Sequence, residues 1–532
     1  MRRYGRALYP ILFAAALVVA VAARSPGQYD GADLALVTAS AAALGALAIA
    51  IALGVVRLAE RSDRSVPLAS ALAMLAVAWI FYYVPAQSAV AAVAGRLARS
   101  VVLLPLGAVA TIAAIAWLVR QPRARLDSLN AFMTRFGVLL LAIVVVNLAL
   151  SQRRSRAAPR RSVLARELAR PLRVTAPPPA GRNAPRRDVY LIVLDEHPDA
   201  RVMREVLGYD NAAFEDTLRS LGFVIPREMR SNYTQTLLSL PSLLNATQLT
   251  QLSRDEGETS RSFVLPSYLT ENNRSARFLK SQGYRYVLFP SAWFPATQAS
   301  PLADRVFDAW PGFSLASEVR RTELRRAVVR STMLRWWSRP MSSDRSFDLR
   351  VMEGLRRMPA DGAPTFVFAH SVASHSPYYL DASCRALERT LAPSAIEDGD
   401  PVYRAARVAQ LRCVDSLVVD VVTTLLRESR PAPVILVVGD HGTQLADPRH
   451  LERPASVSAP FVRERFATLG AFHLPAGGDT ALAGSVTLVN VMGHVLRYYF
   501  GADLPPSPDD LYVSGTEPYR FFRVDSSARV AR

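Results

Sequence analysis

Long apolar runs dominate the first 150 residues of the chain. Five of them, at roughly 7–23, 34–56, 66–84, 101–119 and 133–150, approach the ~20 residues that a helix needs to cross a bilayer core. Because further runs follow the first one, we interpret it as a span and not as a cleavable signal peptide. The pattern predicts an α-helical membrane domain of about five spans over 1–151.

After residue 188 the pattern changes to short apolar runs that alternate with amphipathic stretches. Runs bounded by turn residues predict buried strands, and the stretches between them are typical of helices packed on a sheet. The alternation predicts an α/β domain over 188–532, with a doubly wound sheet. The predicted strands lie at 188–194, 285–289, 365–370, 434–439 and 466–473, and the predicted helices at 200–221, 274–282, 315–337, 346–358, 402–428 and 485–499.

The stretch 152–187 between these regions is rich in arginine and contains the run Pro177–Pro179. Such a composition is typical of a linker. Its arginines either belong to a solvated tether or lie on anionic lipid headgroups, where each basic residue contributes about 1 kcal/mol. The chain is therefore predicted to have a membrane domain, 1–151, a linker, 152–187, and a globular domain, 188–532.

The formal net charge of +18 raises the question of nucleic-acid binding. No zinc-finger, RNP or helix-turn-helix pattern accompanies this charge, and much of the excess lies in the linker. We therefore expect no nucleic-acid partner.

Arginines also predict the orientation of the spans, because basic loops stay on the cytoplasmic side. Basic clusters lie before the first span, after the second, and between the fourth and fifth. An odd number of spans then places the chain after residue 151 outside the cytoplasm, together with the loop that carries Asp30 and Asp33. A further cluster, directly after span five, opposes this orientation. The cytoplasmic clusters are Arg2, Arg3 and Arg6, then Arg57, Arg61 and Arg64, then Arg120, Arg123, Arg125 and Arg135; the opposing cluster is Arg153, Arg154, Arg156, Arg160 and Arg161.

Two of the predicted strands end in carboxylates. The segment VYLIVLDEHPDA places Asp195 after one apolar run, and PVILVVGDHGT places Asp440 and His441 after another. Open α/β sheets bind ligands at the carboxyl ends of their strands, so we expect both carboxylates to face one crevice. His441 adds a nitrogen ligand, and Gly442 lets the backbone turn sharply beneath it.

A pair of threonines completes this group. The segment SNYTQTLLSLPSLLN places Thr234 and Thr236 before an apolar stretch, where threonine often caps a helix. A hydroxyl at a helix N-terminus can also act as a nucleophile, since nearby N–H groups stabilise an anion. One divalent cation, Zn, Mn, Mg or Ca, would bind to oxygens of Asp195, Asp440 and a threonine and to the His441 nitrogen, and would lower the hydroxyl pKa.

The order of the motifs resembles that of bacterial membrane-bound sulfatase-like proteins of the alkaline phosphatase superfamily. The shared segments are LDEHPDA, SNYTQTLLSLPSLLN, FVFAHSVASHSPYYLD, VILVVGDHGT and LVNVMGHVLRYYFGADLP, which together extend over essentially all of 188–524. Spans followed by an external domain also resemble lipoteichoic acid synthases and phosphoethanolamine transferases. The resemblance implies an alkaline-phosphatase-like sheet and a metal-dependent hydrolase or transferase.

The resemblance leaves two candidates for the nucleophile. Membrane sulfatase-like proteins resemble the pattern SNY-x-Q-T-x-LSL, which points to Thr236, whereas phosphoethanolamine transferases carry T-x-T-x-x-S-L-P, which points to Thr234. Sulfatases use a cysteine or serine that is oxidised in a C-x-P-S-R context, and threonine cannot undergo that oxidation. The sequence therefore favours phosphoryl chemistry, with Thr236 as the preferred nucleophile.

Three histidines and one acid are further candidates. His375, in ASHSPYY, resembles a transferase histidine that contacts substrate or an additional metal; it would bind the phosphoryl group or protonate the leaving oxygen, unless it is an ordinary loop histidine. His370 is either a ligand or a buried core histidine. His450 is a further ligand candidate, although its spacing differs from that of the transferases. Glu196 would join Asp195 as a paired acid.

The predicted function is the transfer of a phospho-headgroup, of the phosphoethanolamine or phosphoglycerol type, from a membrane lipid to a glycan or lipid acceptor in the cell envelope. The alternatives are a phosphodiesterase, a sulfuric ester hydrolase and a non-catalytic binding module. The expected location is the bacterial inner membrane, with the catalytic domain in the periplasm. In that oxidising compartment Cys384 and Cys413 would form a disulfide, the alternative being two buried thiols.

Overall fold

The computed structural model describes residues 7–525 apart from 25–28, 60–61, 176, 182–184, 292–296, 309–321, 337–344, 359–361, 392–399, 447–448 and 480–481. The chain divides into two compact units. The first comprises Met1–Ala157 and Gly312–Pro340, and the second comprises Ala158–Pro311 and Met341–Arg532. A segment from the C-terminal half of the sequence thus belongs to the N-terminal unit.

Apolar helices form the first unit. Their exposed faces carry large apolar side chains such as Val109 and Val146, as expected for helices that contact lipid. The helices are α1 (Tyr9–Arg24), α2 (Gly31–Ala59), α3 (Ser65–Val77), α4 (Tyr83–Ala94), α5 (Ser100–Val119) and α6 (Arg123–Arg161), and a π-helical turn at Ala78–Tyr82 joins α3 to α4.

Helices occupy all five predicted spans, but only four are long and apolar enough to cross a membrane among the residues that the structure describes. Four of the predicted spans are therefore helices of sufficient length, whereas α1, with 16 residues, is shorter than the ~20 of a full span, and its crossing of the membrane stays a prediction. The last helix, α6, continues through the arginine cluster to Arg161, since arginine and alanine are good helix formers. The three-part division of the chain stays a prediction.

The second unit contains the remaining elements except α14, which belongs to the first. In chain order they are α7 (Val163–Ala169), β1 (Val189–Leu194), α8 (Ala200–Leu207), α9 (Ala212–Ser220), β2 (Glu228–Arg230), α10 (Thr236–Asn245), α11 (Leu252–Glu256), α12 (Val264–Glu271), α13 (Arg274–Ser281), β3 (Arg285–Phe289), β4 (Arg305–Val306), α14 (Glu323–Arg330), α15 (Arg345–Arg356), β5 (Thr365–Ser371), β6 (Tyr378–Leu380), β7 (Ala386–Leu391), α16 (Pro401–Glu428), β8 (Val434–Gly439), α17 (Ala459–Phe466), β9 (Gly470–His473), β10 (Ser485–Thr487), α18 (Leu488–Phe500), β11 (Tyr512–Val513) and β12 (Phe522–Arg523).

The inserted helix α14 is fixed within the first unit by a buried carboxylate. Asp33, at the start of α2, is 6% exposed. Its Oδ2 accepts a hydrogen bond from Thr322 Oγ1 at 2.6 Å, and its Oδ1 pairs with Arg325 Nε at 2.7 Å. The apolar side of α14 joins the cluster around α1. A charged pair held between buried apolar groups ties α14 to the start of α2.

A six-stranded sheet forms the centre of the second unit, in the order β4-β3-β5-β1-β8-β9. The pairs are parallel except for β9, which runs antiparallel to β8. The α/β sheet and its five predicted strands are confirmed. The predicted helix 200–221 is two helices, because Gly208 adopts a left-handed conformation that ends α8. Much of the predicted helix 315–337 lies outside the described residues.

The sheet separates two apolar cores. Alternate residues of β1 face opposite sides, so that Leu191 enters one core and Ile192 the other. The first core contains side chains of α10, α13 and α18, and the second contains side chains of α9, α15 and α16. This is the doubly wound arrangement, and it leaves the carboxyl ends of the buried strands free to carry polar groups.

A disulfide joins Cys384 to Cys413. Cys413 lies on α16, and Cys384 lies in the turn between β6 and β7. The prediction of a bridge is therefore confirmed, and two buried thiols are excluded. The bond connects the hairpin that follows His375 to the long helix behind it.

Candidate metal centre

Three neighbouring strands of the central sheet carry the site. Asp195 directly follows β1, Asp440 directly follows β8, and His370 lies near the end of β5. Since β5, β1 and β8 are adjacent and parallel, their carboxyl ends meet at one edge of the sheet. Residues that are hundreds of positions apart in the sequence thereby face one another.

Asp195, Asp440 and His441 are buried, and each offers a ligand atom within 4.8 Å of the others. Among the described residues, both carboxylate oxygens of Asp195 and Oδ2 of Asp440 have no hydrogen-bond partner. A buried polar atom without a partner costs about 1–3 kcal/mol, and more if it is charged. Two carboxylates and one imidazole are donors that suit a divalent cation, so these residues fit one.

The backbone orients Asp440 toward this position. Its Oδ1 accepts hydrogen bonds from the N–H groups of Glu196 and His441, each at 2.9 Å, which leaves Oδ2 free. Glu196 has a left-handed backbone, with φ of 59°, at this sharp turn. A side chain at Gly442 would collide with the carbonyl oxygens of Glu464 and Ala467, so only glycine fits there.

Thr236 is the first residue of α10 and points at the same centre. Its Oγ1 lies 3.0 Å from His441 Nε2, and the residue is 8% exposed. Thr234 is fully buried, and its Oγ1 has no hydrogen-bond partner within the described part of the chain. The structure therefore brings Thr236 beside His441, whereas Thr234 Oγ1 makes no hydrogen bond to any ligand candidate in the described structure.

Burial and the negative charge of Asp195 raise the pKa of Asp440 to about 7. Burial also acts on Asp195, but the neighbouring His370, His375 and His441 outweigh it and hold the pKa of Asp195 below its ordinary value. Burial and the nearby Arg465 lower the pKa of His441 to about 3, which keeps its ring neutral and able to bind a metal. Two adjacent buried carboxyls resist full ionisation, and a cation between them would relieve the conflict.

Glu196 is not in the cluster of potential ligands found among the described residues, and three positively charged or protonatable groups surround its carboxylate. Its Oε1 lies 3.3 Å from Arg407 and 3.4 Å from Arg465, and its Oε2 lies 3.2 Å from His375 Nε2. Arg465 also donates to the carbonyl oxygens of Thr234 and Gly442. Burial favours neutral His375, but Glu196 and Asp195 outweigh it and raise the pKa of His375. The idea that Glu196 pairs with Asp195 as a ligand stays a prediction.

The two other histidines differ in their distance from the centre. His370 is fully buried, with Nε2 at 3.6 Å from Asp195 Oδ2 and Nδ1 at 3.2 Å from Thr297 Oγ1, so it lies behind Asp195. His450 is also buried, but its ring packs on Phe461 and it is not in the cluster of potential ligands found among the described residues.

Sequence reasoning missed Arg407 and Arg465. Both are nearly fully buried, at 2% and 6% exposure, although charged residues usually stay at the surface. Each stands among many arginines in this chain, so neither had a local signal. A weak hint was the amphipathic pattern of 402–428, in which Arg407 falls on the apolar side.

The sequence matches the family model described as Sulfatase over residues 201–475, which is more than half of the chain. The matched range contains Thr236, His375, Asp440 and His441, and it begins just after Asp195. No curated protein gives a significant match.

The chain is also similar to solved structures, three of which follow, each at low identity and with a low TM-score. The periplasmic domain of EcEptC from Escherichia coli, in complex with Zn, is 13% identical, with a TM-score of 0.41 over 65% of this chain and 94% of that one. The lipoteichoic acid synthase LtaP from Listeria monocytogenes is 14% identical, with a TM-score of 0.39 over 67% and 86%. The lipooligosaccharide phosphoethanolamine transferase A from Neisseria meningitidis is 13% identical, with a TM-score of 0.40 over 95% and 96%. Similarity this remote transfers no residue roles.

Removal of a ligand candidate should abolish metal binding. We expect Asp440→Asn and His441→Ala to lower metal affinity by more than about 100-fold, because each removes one of few donors. Metal content of the purified full-length protein, measured by mass spectrometry, checks this. His473→Ala is the matched control, since His473 bonds only to the Pro433 carbonyl in the described structure. Full occupancy in His441→Ala would contradict the site.

Metal affinity should rise with pH. The pKa of Asp440 is raised from 3.8 to about 7 in the folded protein, so its proton must leave before a cation binds. Between these values the folded state holds more protons than the unfolded state, and the metal-free protein should lose stability as pH rises from about 4 to 7. Calorimetric titrations in two buffers should detect proton release below pH 7. Affinity that is independent of pH from 5 to 7 would refute this coupling.

Proposed function

Since the chain belongs to the sulfatase family of the alkaline phosphatase superfamily, we propose that it is a metal-dependent phosphotransferase with a threonine nucleophile. The family match confirms the superfamily predicted from the motifs. The proposed reaction moves a phospho-headgroup, of the phosphoethanolamine or phosphoglycerol type, from a membrane lipid to a glycan or lipid acceptor of the envelope.

The observation that carries this proposal is the position of Thr236. Its hydroxyl lies at the start of α10, 3.0 Å from His441 Nε2. His441 is grouped with Asp195 and Asp440, and three of the four oxygens of these two carboxylates lack a hydrogen-bond partner in the described structure. A hydroxyl buried beside a cation site is the arrangement that nucleophilic catalysis needs. When bound, the cation lowers the pKa of this hydroxyl and so supplies an alkoxide.

The chain's own residues account for the other steps. The Thr236 oxygen forms a bond to phosphorus while the ester bond to the lipid glycerol breaks, and the leaving oxygen takes a proton from His375. An acceptor hydroxyl then attacks the phospho-threonine, returns a proton to His375 and frees Thr236. Water in place of the acceptor gives hydrolysis. His375 suits this role because its side chain is 26% exposed, whereas the metal ligands are buried.

Sulfate-ester hydrolysis is the second candidate, and the family match favours it. Against it stands the residue type, since sulfatases depend on an oxidised cysteine or serine and this chain has a threonine at both candidate positions. Phosphodiester hydrolysis needs no change in the residues and differs only in the acceptor.

The ion pair at Asp33 supports an external catalytic domain. Asp33 lies at the start of α2, on the side predicted to be external. Thr322 and Arg325, which bind it, lie between β4 and β5 of the catalytic sequence. Only residues 307–321 separate β4 from Thr322, which is fewer than the ~20 residues of one helical span, so this segment lies on the same side of the membrane as β4. The proposed location is the inner membrane, with the catalytic domain in the periplasm.

The two threonines should differ sharply on substitution. We expect Thr236→Ala to lower kcat by at least roughly 10³-fold while metal remains bound, because the other ligands are intact. Thr234→Ala should cost far less, since its hydroxyl makes no hydrogen bond to the ligand candidates in the described structure. Release of nitrophenol from a chromogenic phosphodiester, with Thr236→Ser as the conservative control, measures this. The reverse ranking would identify Thr234 as the nucleophile.

The proposed location predicts the behaviour of reporter fusions. A phosphatase reporter fused after residue 160 should be active and a fluorescent reporter that matures only in the cytoplasm should be dark, with the opposite result after Arg61. Activity measured in intact cells separates the two outcomes. A bright cytoplasmic reporter at residue 160 would overturn the envelope reaction, because the lipid donor and acceptor would lie on the other side.

A further inference from the structure

Several side chains of helix α16 contact the loops around the site. Arg407 pairs with Glu196, Cys413 is bonded to Cys384, and Asp415 accepts from His197 at 2.9 Å. Between them lies Gln410, which is 1% exposed and has no charge. A buried amide is costly unless its polar atoms form hydrogen bonds.

Gln410 holds both ends of the loop that carries His375. Its Oε1 accepts hydrogen bonds from the N–H groups of Tyr379 at 2.8 Å and Leu380 at 3.1 Å. Its Nε2 donates to the carbonyl oxygens of His375 at 3.2 Å and Pro377 at 3.5 Å. An amide side chain can make about four hydrogen bonds, and here all four go to one six-residue loop.

The same helix fixes the ring of His375 from the other side. The ring lies with Nε2 at 3.2 Å from Glu196, and Glu196 is paired with Arg407, one turn before Gln410 on α16. The Nδ1 atom lies 2.6 Å from the Ser376 carbonyl oxygen, so this nitrogen carries the proton and donates it. Backbone and ring of His375 are therefore both set by α16, at two positions three residues apart.

We propose that Gln410 is a positioning residue: it holds the 375–380 loop on α16 so that the His375 imidazole faces the phosphoryl group. The inference rests on the proposed function in so far as His375 is the proton donor. Gln410 itself reaches neither the metal ligands nor Thr236 in the described contacts. Its effect on the reaction passes entirely through His375.

A double-mutant cycle in the full-length protein tests the proposal, with a chromogenic phosphodiester as the probe. We expect Gln410→Met to lower kcat about 10–100-fold with little change in KM, as outer residues that orient a functional histidine do. In a His375→Ala background the same substitution should cost less than about 2-fold, because the positioned group is gone. A residue that only stabilises the fold would give equal losses in both backgrounds, and that result would overturn the proposal.

Two further variants make the cycle specific. Gln410→Glu keeps the volume and the Oε1 acceptor but places an oxygen against the carbonyl oxygens of His375 and Pro377, which repel it. It should therefore lower kcat at least as much as Gln410→Met, and again by less than about 2-fold in the His375→Ala background; it also carries the cycle if Gln410→Met fails to fold. Gln251→Met is the matched control, because Gln251 donates to Asp255 on α11. Its effect should be small and equal in both backgrounds. Dependence of the control on His375 would show that the cycle lacks specificity and would overturn the assignment.

Hydrogen exchange provides a measurement that needs no turnover. In Gln410→Met the amides of Tyr379 and Leu380 should exchange at least about tenfold faster, while those of the central strand β1 keep their protection. Unchanged exchange at both amides would show that Gln410 does not hold the 375–380 loop and would overturn the proposal. If exchange is faster in Gln410→Met but the unsubstituted protein has no phosphodiester activity, Gln410 still holds the loop. That result would count against the proposed function only.

Discussion

The organisation of the catalytic domain depends on two buried carboxylates that stand side by side. Asp195 and Asp440 end adjacent parallel strands, and three of their four oxygens lack a partner in the described structure. Such a pair is unstable on its own, because charges of like sign repel strongly away from water. It is tolerable in an enzyme that binds a cation there. The apolar cores on both faces of the sheet provide the rigidity that keeps the two groups together.

Two buried arginines, Arg407 and Arg465, contact the residues around this centre. Arg465 donates hydrogen bonds to the carbonyl oxygens of Thr234 and Gly442, so it joins the segment before Thr236 to the turn after His441. Arg407 and Arg465 both pair with Glu196, which in turn contacts His375. Both guanidinium groups are buried and used in fixed geometry, for which arginine is better suited than lysine. His375, by contrast, is partly exposed to solvent at the edge of the site.

The first unit differs from the catalytic domain in where its apolar side chains lie, because many of them are exposed on the outer faces of the helices. Among its polar contacts, the one at Asp33 joins residues far apart in the sequence. An ion pair this well buried is costly to break, since loss of one partner leaves a charge in apolar surroundings. Residues 322–330 are thereby kept with the membrane helices, although their neighbours in the sequence belong to the catalytic domain.

The sequence alone determined the elements and the chemistry that is local in it. Apolar runs predicted the helices of the first unit and the five strands, and the end of a strand placed Asp195, Asp440 and His441 in one site, because strand polarity fixes where such residues meet. The antiparallel direction of β9 and the short length of α1 required the structure, which also decided between a disulfide and two buried thiols at Cys384 and Cys413. The roles of buried side chains such as Gln410 also required it, because their partners are set by packing between elements and leave no periodic or local signal in the chain.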